Sequence, residues 1–280
     1  MEPTLIIALL SALFIATHIG MATARPRAWL VSGLGENRFV LLYSAIASAE
    51  FALLIAYYAA HRFDGPAGPS LSAIPPIRWA LIAVIAAGIT LSGGSLVGFP
   101  DSPYPALGHN FREPYGLERI TRHGFFVGTF MLGAGHALLA SHINGTIMFS
   151  SLALLAVAGA RHQDSKLLRR GGEAYRHFLE TTSMVPFTAI IEGRQRIVWR
   201  EIPIRGLVIA FAAAVALRMV HDWIFAYGGL FVIAGVLGGV GIIALVSLLQ
   251  ARSKSRRTRV QETHAAAESG RSTTGVARMN

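Results

Sequence analysis

Ten histidines punctuate this 280-residue chain, at positions 18, 61, 109, 123, 136, 142, 162, 177, 221 and 264. Two of them interrupt otherwise apolar runs. His18 lies in Phe14-Ile15-Ala16-Thr17-His18-Ile19-Gly20, and His136 in Met131-Leu132-Gly133-Ala134-Gly135-His136-Ala137. An ionisable side chain at membrane depth is costly and therefore points to function. Three chemistries suit such a pair: two imidazoles ligating a haem iron, a proton relay, or interhelical hydrogen bonds with no chemistry. The small neighbours allow close helix approach or a flat ligand against the helix. Depth opposes a simple pairing. At 1.5 Å per residue, His136 lies about 20 Å from Arg122 and His18 about 10 Å from Arg25, a mismatch of about 10 Å. Helix tilt averages about 20° and removes only part of that. His123, beside Arg122, is a better depth match for His18 and is kept as a reserve ligand.

The elements that must position these residues are apolar helices. The chain is 53% hydrophobic and 14% charged, with mean hydropathy +0.50. Soluble domains carry about 25% charged residues, so this composition points to an all-α, polytopic transmembrane bundle. A span needs about 20 apolar residues. Such runs are Leu5–Ala24, Phe39–Ala60, Ile77–Val97, Phe125–Ala140, Ile143–Ala160, Ile204–Met219 and Trp223–Leu249. The expectation is seven spans, or six if one of the short pair around Ser141-His142 is re-entrant. The stretch before the first span holds Glu2 and no Lys or Arg, so that span is read as retained rather than as a signal peptide.

Charge orients the bundle. Of 25 Lys and Arg residues, three lie in the first loop, three in the third, nine within 161–205 and seven after residue 250, all on one side. Only Arg62, Arg78 and Arg218 face the other way. The positive-inside rule then places the N-terminus outside and the C-terminus in the cytoplasm, and a bacterial-type inner membrane is the expected location. The net charge of +10 is accounted for by this placement, so nucleic acid is not expected as a partner. Residues 1–249 are read as the membrane domain, with 161–205 as a cytoplasmic or interfacial segment, and 250–280 as a disordered basic tail. Within 161–205, Gly171-Gly172 interrupts one helix, Glu173–Thr182 reads as a second, Pro186 ends it, and Phe187–Arg196 reads as an interfacial helix.

Several chemistries are excluded or weak. The absence of cysteine removes disulfides, iron–sulfur clusters, thiolate ligation and cysteine nucleophiles. Gly93-Gly94 and Gly238-Gly239 follow no strand and suit packing rather than dinucleotide binding. His221-Asp222 reads as a solvated pair on an outer loop. No internal repeat marks an inverted-repeat transporter.

Joint motif order resembles the NnrU-like membrane family, and within it most nearly the 15-cis-zeta-carotene isomerases. The motifs are His18 before an arginine-bearing loop; Leu42-Tyr43-Ser44 and His61-Arg62-Phe63-Asp64-Gly65; and Arg119-Ile120-Thr121-Arg122-His123 with His136 thirteen residues on. They continue with Leu167-Leu168-Arg169-Arg170-Gly171-Gly172-Glu173-Ala174-Tyr175, Thr182–Phe187 and Ala189–Gln195. The resemblance implies a haem b protein that turns a central 15-cis double bond of a carotenoid, of the 9,15,9'-tri-cis-zeta-carotene type, to trans without net redox change. It implies His18 and His136 as axial ligands and catalytic residues, and His61, His109, Arg122 and His123 as further positions near the cofactor. Membrane lipid, a polyene taken from the bilayer and an electron donor are the implied partners. Two departures stand out: Gly133 occupies a position that is cysteine in some plant isomerases, and Gly124 replaces the proline usual after the Arg-His pair. The broader family name suggests a second reading, a non-catalytic haem or redox protein of nitrogen-oxide metabolism. Arg122-His123, Gly172–Tyr175 and Pro186 also echo membrane methyltransferases that use S-adenosylmethionine, although Gln163-Asp164 stands where those carry an acidic pair.

Overall fold

A computed structural model describes residues 2–97, 113–239 and 241. The helices in chain order are α1 (Pro3–Gly20), α2 (Ala24–Leu34), α3 (Glu36–His61), α4 (Pro75–Val97), α5 (Gly124–Leu139), α6 (Ile143–Thr181), α7 (Thr188–Ile191), α8 (Ile204–Met219) and α9 (Ala226–Gly239). No strand is found among the described residues; one isolated bridge joins Ala67 to His142. The chain divides into Met1–Ile233 and Ala234–Asn280, and the described part of the second unit is the continuation of α9. The expected basic tail and His109 lie outside the described residues.

Within the described residues, each apolar run read from sequence contains helix, although the first ends at Gly20 and its expected last residue, Ala24, opens α2, and the end of the seventh lies outside the described residues. Their capacity to span differs from the expectation. Four helices, α1, α3, α4 and α6, are long and apolar enough to cross a membrane, while α5 and α9 are apolar but shorter. Helices α5 and α8 have 16 residues each. At 1.5 Å per residue that is about 24 Å, against roughly 30 Å of hydrocarbon. Among the described residues, four of the expected six or seven runs are thus helices long and apolar enough to span by themselves. The first loop also differs, because Arg25 and Arg27 belong to helix α2, which packs on α3 through an Arg27–Glu36 ion pair.

Neighbouring helices pack in the order α3, α1, α6, α5, α4, α8. Helix α1 runs parallel to α6. Thr4 and Asn144 both border Gly65 at one end, and the His162 side chain meets the Ala22 backbone at the other. Helices α4 and α5 approach closely where two glycines face each other: a Cβ on Gly128 would lie 2.3 Å from the Gly88 carbonyl oxygen. Small residues at such crossings let backbones meet where lipid offers no hydrophobic drive to association. A buried cluster of Ile7, Ile55, Tyr58 and Met148 joins α1, α3 and α6. Many apolar side chains instead point outward, among them Leu9, Leu53, Leu154, Val208 and Ile209. That distribution suits a bundle whose solvent is hydrocarbon.

Helix α6 continues well past its apolar part, which ends at Ala160, and bends once. Gly172 takes φ 52° and ψ −129° inside an otherwise helical run. The interruption expected at Gly171-Gly172 is thus a bend at one residue, after which helix resumes to Thr181. The interfacial helix expected over Phe187–Arg196 is a single turn, Thr188–Ile191, because Phe187 itself is left-handed at φ 65° and Gly193 at φ 73°.

Candidate functional site

His18 sits in the last turn of α1, with its ring 5.4 Å from the Phe14 ring and 5.3 Å from that of Tyr43. The Tyr43 hydroxyl donates to the His18 carbonyl at 3.1 Å. His18 Nδ1 is buried and has no hydrogen-bond partner, so the imidazole is held by packing with a ring nitrogen to spare. Its neighbour Thr17 donates to Glu50 Oε2 at 2.5 Å from mid-α3. Glu50 was missed by the sequence reading, although a signal for it existed. It is the one carboxylate inside any of the seven apolar runs, in Ala45-Ile46-Ala47-Ser48-Ala49-Glu50-Phe51. The cost of an ionisable group at membrane depth applies to it as much as to histidine.

His136 belongs to a second station. Its Nδ1 lies 2.9 Å from the Leu132 carbonyl oxygen, which accepts only if Nδ1 carries the proton. That bond selects the tautomer with a free lone pair on Nε2, the arrangement by which outer partners orient metal-ligating histidines. Phe149 stacks on the ring at 4.6 Å and 22°. On the same ring, His221 lies at 6.2 Å between centroids with planes only 11° apart. His61 ends α3 near this station: its Nδ1 is 2.7 Å from Asp64 Oδ2, its ring is 4.4 Å from Tyr57, and its carbonyl accepts from Asn144.

The structure keeps the two stations apart. Thr4 near the start of α1 and Ala22 just beyond its end face 144 and 162 of α6, so His18 is level with about residue 158, whereas His136 stacks on Phe149. Nine residues of helix make the axial separation about 13 Å. Metal–imidazole bonds are about 2.0–2.1 Å, so one iron cannot take both rings at that spacing. The expectation that His18 and His136 share one macrocycle does not fit this arrangement. His136 by itself presents an unprotonated Nε2, a nitrogen of the kind that ligates metals.

Arg122 and His123 form a third group. His123 Nε2 lies 2.7 Å from Asp164 Oδ1, and Arg122 reaches Asp164 Oδ2 through Nη2 at 2.9 Å and Nε at 3.1 Å. The Tyr175 hydroxyl donates to Oδ1 at 2.7 Å. Burial by itself would raise the Asp164 carboxyl, but hydrogen bonds and charge from His123 and Arg122 outweigh it and bring it down to about 2. Burial and the adjacent carboxylate push the Tyr175 phenol well above its ordinary range, which keeps it a donor. His123 thus has Nε2 committed to a carboxylate, and its place as reserve ligand is taken by a clasp joining the start of α5 to both halves of α6. A parallel clasp lies nearby, where Arg119 binds Glu201 through Nε at 2.7 Å and Nη2 at 3.1 Å, and Gly116 N donates to the same carboxylate. No group of three or more metal-ligating side chains is found among the described residues.

Comparison with known proteins places these stations in context. Residues 5–228 match a family model described as NnrU protein. The chain is 30% identical over 202 residues to "15-cis-zeta-carotene isomerase, chloroplastic" of Arabidopsis thaliana, covering 69% of this chain and 52% of that protein. It is 29% identical over 194 residues to the protein of the same name from Zea mays, covering 68% and 51%. The chain therefore spans about half the length of the curated relatives it matches. No solved structure matches it.

Proposed function

The chain belongs to the NnrU protein family, and from that premise we propose that it is an integral membrane isomerase turning the 15-cis double bond of a zeta-carotene-type polyene to trans. The match to two plant proteins bearing that activity in their names carries the reading. The product has the same atoms and electrons as the substrate, so no net oxidant or reductant is consumed. The substrate would enter from the bilayer, since a hydrocarbon polyene partitions with the outward-facing leucines and valines. We assign the protein to a bacterial-type inner membrane, N-terminus outside and C-terminus cytoplasmic, with a cellular electron donor as partner.

Haem b is part of this proposal. When bound, its iron would supply a coordination position or an electron able to weaken the central double bond. His136 would hold it. The Leu132 carbonyl fixes the proton on Nδ1 and turns Nε2 outward, and Phe149 packs one face of the imidazole against rotation. At the other station, Phe14, Phe51, Tyr43 and His18 line a half-buried aromatic wall along α1 and α3, which would bind a flat polyene by its faces.

The test is expression in a carotenoid-producing host that lacks its own isomerase, grown in the dark. Loss of the 15-cis isomer and growth of the 15-trans isomer is the expected result. Persistence of the 15-cis isomer, with the protein present in the membrane, would overturn the reading.

A further inference from the structure

We propose that the corner between α2 and α6 binds the phosphate of an anionic phospholipid through Lys166, Arg169, Arg170 and Arg27. His162, Lys166 and Arg170 follow one another at intervals of four in the unbroken helix before the Gly172 bend, so they stack along one face of α6. That face is turned to the junction of α1 and α2, where the His162 side chain meets the Ala22 backbone. Arg27 and Arg170 stand close enough to Lys166 to repel its charge, and Arg169 is within charge range of His162. Lys166 is half-buried, and neither it nor Arg169 nor Arg170 forms a side-chain hydrogen bond or ion pair among the described residues. The carboxylate that attracts Lys166 is Glu36, and Arg27 already binds it. Four cations thus gather around one acid. Like charges spaced four apart destabilise a helix, so the cluster is costly until an anion joins it. Phosphate supplies that charge, and guanidinium forks bind its oxygens in pairs.

Depth selects a lipid phosphate over a free one. The apolar part of α6 ends at Ala160, and Lys166 lies about 9 Å beyond it at 1.5 Å per residue. The polar layer flanking the hydrocarbon is about 5–8 Å thick on each side. Long basic side chains reach back across the remainder. Helix α2 buries none of its residues and carries Trp29, 75% exposed, two positions after Arg27. Exposed tryptophan beside arginine marks a helix lying in the membrane interface. Basic pockets between helices at that level hold anionic head groups. A lipid bound here would join α2, which packs on α3, to α6.

The experiment uses the full chain, delipidated in neutral detergent, and follows its melting temperature as phosphatidylglycerol, phosphatidylcholine or sodium phosphate is added. Native mass spectrometry of the same samples measures lipid binding. Phosphatidylglycerol at about a hundred times its Kd should raise the melting temperature by about 5–10 °C, with little change from the other two. Lys166→Gln/Arg170→Gln should melt at or above wild type without lipid, because repulsion is relieved, and should lose the rise with lipid. Arg196→Gln/Arg200→Gln removes the same charge from the same arginine-rich segment, also at exposed positions, and should keep the rise. Lys166→Gln alone, the milder change, should weaken phosphatidylglycerol binding about fivefold. The proposal is overturned if phosphatidylcholine or phosphate stabilises as well as phosphatidylglycerol, if the two double variants lose the rise equally, or if Lys166→Gln binds as wild type. Isomerisation plays no part in these readouts, so their outcome is separate from that of the isomerase reading.

Discussion

Tyr175 hydrogen-bonds Asp164 across the bend at Gly172, its hydroxyl 2.7 Å from Oδ1. The same oxygen meets His123, and the other oxygen meets Arg122. One carboxylate thus ties the entry of α5 to both sides of the bend, and Arg122 N adds a bond to the Ser183 carbonyl. The segment beyond the bend is also anchored by Thr121 donating to the Met184 carbonyl and Phe187 N donating to that of Ile120.

Asp164→Asn should therefore loosen the segment after Gly172. Hydrogen bonds to a charged group contribute about 1.5–3 kcal/mol, and the variant should lose about 2–3 kcal/mol of stability. Limited proteolysis between residues 172 and 190 reads it; wild-type protection in the variant would show the clasp to be dispensable.

The pH dependence follows from the same group. Its folded pKa of about 2 lies below the ordinary carboxylate value, so its contribution is full above that ordinary value and disappears as pH falls through about 2. The shift corresponds to about 2 kcal/mol. Thermal unfolding should be flat in this contribution from pH 7 to 5 and should weaken below about pH 4. Asp164→Asn should flatten that acid limb, and an unchanged limb would assign it to other carboxylates.

Gly171 and Gly172 should separate cleanly on mutation to alanine. Gly172 has positive φ and open space around a new Cβ, so strain alone should lower stability by about 1–2 kcal/mol. Gly171 is helical, and Gly171→Ala should be neutral or gain up to about 1 kcal/mol. Melting temperatures of the two variants check this, and equal losses would refute it.

Gly128→Ala should force α4 and α5 apart. The added carbon would sit 2.3 Å from the Gly88 carbonyl oxygen and equally close to Ser92 Oγ, and backbone cannot give way as a side chain can. Overpacking of this kind costs about 1–3 kcal/mol. A melting temperature at or above wild type would mean the helices part without penalty.

Glu50→Gln should have opposite effects on stability and function. Removing an acid from an apolar span should raise stability by about 1–2 kcal/mol. The amide oxygen can still accept from Thr17, so the fold should persist. If the His18 station binds or acts on the polyene, dark isomerisation should fall about tenfold, the usual trade between stability and a functional polar group. Full activity would make Glu50 a bystander.

The sequence alone determined most of the apolar helices, because apolar runs and prolines such as Pro3 and Pro75 act within a few residues of themselves; it did not reveal α2, whose charged start reads as loop, or that α7 is a single turn. It also marked His18 and His136, since the cost of an imidazole in an apolar run depends only on the run. The same reasoning reaches Glu50, which was overlooked beside the histidines. Arg122 and His123 stood out, but their acceptor Asp164 did not, being forty-odd residues away and brought close only when α6 packs on α5. Which rings meet was beyond any local rule. Parallel register between α1 and α6 sets His18 level with about residue 158, and the turn after α8 carries His221 onto His136. Both arise from helix packing across the whole fold, where a shift of one turn exchanges every partner while leaving each helix unchanged.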